Sequence, residues 1–272
     1  MKRVTGLLFL LPQLVLGQDS WRGIPYPMNR WGVSVMGVKQ TEKGNLTEAS
    51  VSGKIKLDKL NKELNLNAEF FKPENLKVDA DVQIVKVDYF VLPFMNLYAI
   101  GGELNAKVKF NLGVPTISLG PSLEITGEKN WTIEHEAKGK LYGGGALIAG
   151  EYNRVFSSLQ YTYTRIEMDG DVATKSAEVA MGRLGYVVYR SKGYSVTPYL
   201  GAGYQKTDSS MSGPIPDIAP GVKDMNYRFE MELEKVTPSV GVFTVINDSF
   251  TVLVDYSFGD RETLAIDLGY RF

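Results

Sequence analysis

The last eleven residues, Glu262 to Phe272, constrain the fold more than any other stretch. Leu264, Ile266, Leu268, Tyr270 and Phe272 alternate with Thr263, Ala265, Asp267, Gly269 and Arg271. Successive side chains of an extended strand point to opposite faces, so this segment has one apolar face and one polar face. A helix would scatter the same residues around its circumference.

The same alternation recurs upstream. Phe250, Val252, Val254, Tyr256 and Phe258 alternate with Thr251, Leu253, Asp255 and Ser257, and the short Gly259–Arg261 connection makes a hairpin with the final strand. Further strands are expected over Trp31–Lys39, Asp79–Val91, Leu97–Phe110, Lys140–Tyr152, Arg154–Met168, Ala177–Arg190, Tyr194–Lys206 and Asn226–Ile246. In the last of these the apolar parity changes near Lys235, which reads as a bulge. Connections near Pro93, Asn153, Lys192 and Asp248 are short, whereas those at about 40–76, 111–139 and 208–225 are long.

That pattern predicts an all-β fold, a transmembrane antiparallel up-and-down β-barrel of about 10 strands. Its short turns lie on the side of both chain ends and its long loops outside. Val51 to Leu57 and Leu64 to Phe70 also alternate, so 12 strands fit equally well by parity. The charged turn between these two short runs favours a hairpin standing above the membrane. A mean hydropathy of −0.12 does not oppose a barrel, because only alternate residues meet lipid.

Lys2 and Arg3 precede an apolar run from Val4 to Leu16, the layout of a signal peptide cleaved near Gly17. The expected organisation is therefore signal peptide 1–17 and barrel 18–272, located in the bacterial outer membrane. A chain ending on an aromatic at the tip of such a strand resembles outer-membrane barrels whose assembly machinery reads that end. Leu268, Tyr270 and Phe272 are the residues that would carry the signal. The expected partners are outer-membrane lipid, the barrel assembly machinery and a small solute.

Three segments strengthen the resemblance: VDYFVLPFMNLYAIGG (Val87 to Gly102), YGGGALIAGEY (Tyr142 to Tyr152) and FGDRETLAIDLGYRF (Phe258 to Phe272). They are similar to a family of uncharacterised outer-membrane β-barrel proteins of Gram-negative bacteria. The resemblance implies a barrel and a location, and it transfers no catalytic residue.

The chain has no cysteine, so disulfides and thiol chemistry are absent. A near-balanced charge, formally −1, offers no basic patch for nucleic acid. His135 is the single histidine and sits between Glu134 and Glu136 in an expected outer loop. A solvated loop histidine is the simpler reading, and an outer-membrane hydrolase built on it is the remote one. The YGGG run lacks the lysine of a phosphate loop, and Glu167, Asp169 and Asp171 lack the ligand spacing of a calcium loop. No cofactor or metal site is expected.

Charges opposite lipid-facing neighbours should line the lumen: Glu103, Lys107, Lys109, Arg183, Asp255, Asp267 and Arg271. They either pair with one another and fill the barrel or border a narrow solute path. A solute passage or small-molecule binding barrel is the first functional reading. A structural or surface-interaction barrel using its outer loops is the second.

Overall fold

The computed structural model describes residues 30–44, 48–57, 62–68, 73–113, 117–118, 124–125, 130–169, 175–214 and 222–272. The expected signal segment lies outside the described residues. All regular structure among the described residues is strand. In chain order the strands are β1 (Trp31–Gly44), β2 (Glu48–Leu57), β3 (Lys62–Ala68), β4 (Pro73–Leu92) and β5 (Met95–Gly113). There follow β6 (Ile117–Ser118), β7 (Glu124–Ile125), β8 (Asn130–Tyr152), β9 (Val155–Met168) and β10 (Lys175–Tyr186). The last five are β11 (Tyr189–Ser191), β12 (Tyr194–Pro214), β13 (Val222–Ile246), β14 (Phe250–Ser257) and β15 (Arg261–Arg271).

Ten of them, β1, β4, β5, β8, β9, β10, β12, β13, β14 and β15, form an antiparallel meander in which each pairs with the next. β15 returns to β1, from Arg271 opposite Gly32 to Arg261 opposite Glu42, and closes the barrel. Closure leaves no strand edge with unpaired amides facing hydrocarbon, the condition for a sheet to span a bilayer. The β2–β3 hairpin pairs instead with the outer end of β13, between Val222 and Glu230. The barrel therefore has ten strands rather than twelve.

Tight turns occupy Pro93–Phe94, Asn153–Arg154, Lys192–Gly193 and Asn247–Ser249. Asn153, Asn247, Asp248 and Gly193 have positive φ, which Asn, Asp and Gly tolerate best. The expected strand Ala177–Arg190 is interrupted. Between the pairs Gly185–Tyr199 and Tyr189–Val196, three residues of one strand face two of the other. Pro198 lies at this bulge and has no N–H for the ladder.

The outward rows are apolar only over part of each strand. On β15, Leu264, Ile266, Leu268, Tyr270 and Phe272 are all exposed, the last at 58%. Val35 on β1, Val85 and Val87 on β4, Leu159 and Tyr161 on β9, and Leu200 on β12 continue this belt. Beyond it the same outward rows turn charged, at Lys39, Asp81, Glu103, Lys140, Arg165 and Glu262. The strands run on past the lipid belt into water.

That transition also corrects the reading of Lys235. The β12–β13 ladder runs from Ile246 to Asn226 without a shift, and Lys235 pairs directly with Gln205. No residue is inserted there. Val236, Pro238, Val240 and Val242 form the outward row within the belt, and the apolar parity changes only where the strand leaves lipid.

The barrel is strongly staggered. The hydrogen-bonded line from Ile246 on β13 passes through Phe250, Tyr270, Val33, Val87 and Ala99. It continues through Gly144, Tyr163, Glu178 and Lys206 and meets β13 again at Glu234, 12 residues higher. For ten strands this stagger corresponds to a tilt of roughly 40°.

Candidate functional site in the lumen

Inward-facing polar residues lie along the barrel wall. Tyr98 on β5 is the direct cross-strand partner of Gly145 on β8, and its ring occupies the space a Cβ at 145 would need. It therefore extends sideways over β8 toward β9, where its hydroxyl donates to the Tyr161 carbonyl at 3.0 Å, contacts the Thr162 hydroxyl and accepts from Gln160 Nε2 at 3.0 Å. Tyr199 on β12 and Gly241 on β13 repeat the arrangement. The Tyr199 hydroxyl passes over Gly241 and donates to Asp255 Oδ2 on β14 at 2.6 Å.

Arg183 on β10 joins these two units. Its Nη1 donates to Gln160 Oε1 at 3.1 Å, its guanidinium lies 5.6 Å from the Tyr199 ring centroid, and its Nε stands 3.7 Å from Asp255 Oδ2. The Ser239 and Ser257 hydroxyls are each 3.5 Å from the Asp255 carboxylate. A buried carboxylate and guanidinium persist in such a site only when paired and hydrogen-bonded, and this network supplies both.

A second group lies on the adjoining wall of β4, β1 and β15. Lys86 Nζ on β4 reaches across β1 to Asp267 Oδ2 on β15 at 2.7 Å. Toward the end bearing the short turns, Arg271 pairs with Asp88, which also accepts from Asn96 Nδ2, and the guanidinium lies 4.2 Å from the Phe90 ring centroid. Glu151 takes both guanidinium nitrogens of Arg190 at the same end. Toward the outer end, Arg261 donates to Thr237 at 3.2 Å beside the buried Glu42.

Because these side chains follow the wall, a cavity of about 370 Å³ remains in the lumen. Its apolar surface includes Met36, Ile84, Leu147, Phe156, Phe243 and Leu253. Phe156 and Phe243, on β9 and β13, stack at 6.2 Å between centroids. The lining combines a polar wall network with apolar surface, the composition of a small-molecule site.

Of the seven charges expected inside, Arg183, Asp255, Asp267 and Arg271 line the cavity. Glu103, Lys107 and Lys109 do not, and their expected position is corrected. Asn96, Tyr98 and Ile100 fix the lumen face of β5, so odd-numbered residues between 97 and 109 face outward. These three residues stand above the lipid belt, where an outward charge meets water and costs little. Lys107 pairs with Glu134 and with Glu136 at 2.9 Å, and Lys109 pairs with Glu134 at 3.0 Å. The Glu134 carboxyl is held below its ordinary range by hydrogen bonds from Lys107 and then Lys109, and Glu134 and Glu136 raise the Lys107 ammonium.

His135 lies on β8 opposite Val108, within a strand rather than a loop. Glu167 accepts from the Tyr142 hydroxyl at 2.8 Å, while Asp171 lies outside the described residues. No group of metal-ligating side chains occurs among the described residues. Tyr98, Tyr199, Lys86 and Asp88 were missing from the sequence-based set. The first two could have been found as tyrosines whose cross-strand partner is glycine, but only with the register in hand.

No protein-family model matches the chain, and no curated protein matches it. Among solved structures, the β-domain of the Bordetella autotransporter BrkA is 12% identical, with 90% of this chain and 98% of that one covered, at a TM-score of 0.44. OprG, an outer-membrane protein of Pseudomonas aeruginosa, is 10% identical over 91% and 98% of the two chains, at 0.42. The translocator domain of NalP from Neisseria meningitidis is 12% identical over 89% of each, at 0.41. The closed ten-stranded antiparallel barrel is established by the chain's own strand pairing.

Proposed function

We propose that the barrel binds a small solute in its lumen and gives it a narrow route across the outer membrane. The observation that carries this reading is the 370 Å³ cavity kept free by side chains laid along the wall. A barrel only slightly wider than the eight-stranded kind would otherwise be nearly filled by its own side chains. The Arg183–Asp255–Tyr199 group borders the cavity and is the part of the lining whose rearrangement would widen or narrow the route. Chemistry on a substrate is not part of this reading.

Single-channel recording in planar bilayers, with ligand binding measured on nanodisc-embedded protein, tests it. Small current steps or saturable binding of small molecules are expected. Neither current above leak nor any binding would overturn it.

A second reading has its own observation. β12 and β13 pair without interruption from Tyr194–Ile246 to Pro214–Asn226, far beyond the eight pairs of β13 with β14. This tall ladder, flanked by β2–β3, supports a role in engaging a partner or envelope polymer outside the cell. Replacing residues 215–221 with a short turn should then abolish partner binding and leave the barrel folded, and retained binding would remove the reading.

A further inference from the structure

Phe156 on β9 and Phe243 on β13 are separated by two strands, yet their rings stack at 6.2 Å between centroids and 19° between planes. The ladder from Phe156 runs through Gly185 on β10 and Tyr199 on β12 to Gly241, which neighbours Phe243 on the lumen face of β13. Ten strands about 4.8 Å apart at the tilt of this barrel make a cylinder roughly 20 Å across, so the two Cα positions stand about 14 Å apart. Rings that meet over such a gap must each extend off the wall and into the lumen. Gly185 permits this, because β10 presents no side chain beside Phe156. Thr197, the partner of Phe243 on β12, is likewise small.

The pair stands at one end of the cavity. Phe156 follows the short turn at Asn153–Arg154, and Phe243 precedes the one at Asn247–Ser249. Both side chains are half-buried and border the cavity. Phe90, with the Arg271 guanidinium 4.2 Å from its centroid, adds a third ring at the same end. Among the described residues, each charge of the cavity lining already faces one of opposite sign. Lys86 pairs with Asp267, Arg271 with Asp88 and Arg183 with Asp255, and Arg261 is the direct cross-strand partner of Glu42. An ion entering here would lose hydration without gaining a partner, whereas an apolar molecule gains by leaving water.

We infer that Phe156 and Phe243 form the selective constriction of the lumen, and that the solute it takes is a small, uncharged, apolar molecule about the size of one ring. The accessible part of each phenylalanine offers such a molecule offset or edge-on aromatic contact, and the apolar lining above the pair receives it. A hydrophobic constriction also hinders ions, because water withdraws from it. A cavity of about 370 Å³ is near the lower end of the range for small-molecule pockets, which suits a single-ring ligand. The inference names the solute class of the binding-barrel reading and rests on it.

The test uses full-length protein, in nanodiscs for binding, with empty nanodiscs subtracted, and in planar bilayers for ion current. Benzyl alcohol is the probe, and benzoate, benzylammonium and xylose are the comparisons. The neutral apolar probe should bind about tenfold tighter than any of the three. Phe156→Ala and Phe243→Ala should each weaken it about three- to tenfold, the loss of one aromatic contact, and raise the ion current severalfold. A charged probe or xylose bound as tightly as benzyl alcohol would overturn the inference. So would variants that leave binding or current at the parental level, and either result would leave a solute barrel in place. Should neither variant assemble, the ranking of probes on the parent decides the matter. No binding of any probe, with no channel current, would remove the underlying reading as well.

Discussion

Tyr199 lies over Gly241, its direct cross-strand partner, and so delivers its hydroxyl to Asp255 at 2.6 Å from two strands away. A side chain at position 241 would lift the ring off the wall and into the cavity. Gly241→Ala is therefore expected to destabilise the barrel by about 1–3 kcal/mol, the usual cost of overpacking. It should also reduce any lumen conductance. Thermal melting followed by the heat-dependent gel shift, beside channel recording, checks both, and a parental melting temperature would show that Tyr199 is held less firmly than described.

Asp255 and Arg183 should be energetically coupled. Asp255→Asn leaves a buried guanidinium without its anion and is expected to cost about 3–5 kcal/mol, whereas adding Arg183→Gln should recover a substantial part of it. A double-mutant cycle in denaturant measures this coupling. Additive losses would mean that the two groups do not act as a pair.

The corrected placement of the β5 charges has a functional consequence. Lys107→Gln and Glu103→Gln, both outside the lumen, should leave conductance and probe binding at the parental level, whereas Arg183→Gln should change both. An altered conductance in Lys107→Gln would return that residue to the solute path.

The outer charge cluster predicts a pH window. Glu134 has a depressed pKa, so its contribution to local stability is present above the ordinary value of 4.5 and is lost only as pH falls through a lower one. Lys107 has a raised pKa, so its contribution is present below 10.5 and persists above that value. A carbon-13 titration of the Glu134 carboxyl should give a midpoint below 4.5. As these groups are exposed, the global melting temperature should hardly move over the same range.

Phe272 closes the outward row through Tyr270 and Leu268 and donates its amide to the Trp31 carbonyl at 3.1 Å. Its deletion should lower the amount of barrel in the outer membrane, while the fraction that assembles melts nearly as the parent, since one exposed aromatic contributes at most a few kcal/mol. Cell fractionation and heat-modifiability gels check this. Equal outer-membrane levels would show that the terminal aromatic is not read during assembly.

The lipid-embedded half of each strand was legible in the sequence because lipid on one side and lumen on the other enforce a period of two. β14 and β15 have the alternation read from their residues, and the turns at Asn153, Lys192 and Asn247 fell where residues tolerant of positive φ occur. Above the belt both faces tolerate polar residues and that enforcement ends. This is why Glu103, Lys107 and Lys109 were assigned to the wrong face and why β12 and β13 were drawn too short. The lumen network was only half legible. Arg183 and Asp255 follow from alternation, but the network joining them depends on Gly201 beside Arg183 and Gly241 beneath Tyr199, which only the register reveals.

The stagger also governs the lowest part of the outer rim. Since the hydrogen-bonded line climbs from β13 through β14 and β15 to β1, every strand leans the opposite way as it rises. β1 therefore slants above the short 258–260 turn, and the chain, continuing as β2, arrives beside β13 in the ladder position that β14 vacates after Ser257. The barrel thus changes the identity of its strands with height: one seam is built from the C-terminal hairpin within lipid and from the β2–β3 hairpin outside it. The short outer turn is sheltered by a slanting neighbour: Lys43 of β1 donates its amide to the Asp260 carbonyl at 3.0 Å, so residues inserted at Gly259–Asp260 would displace the end of β1.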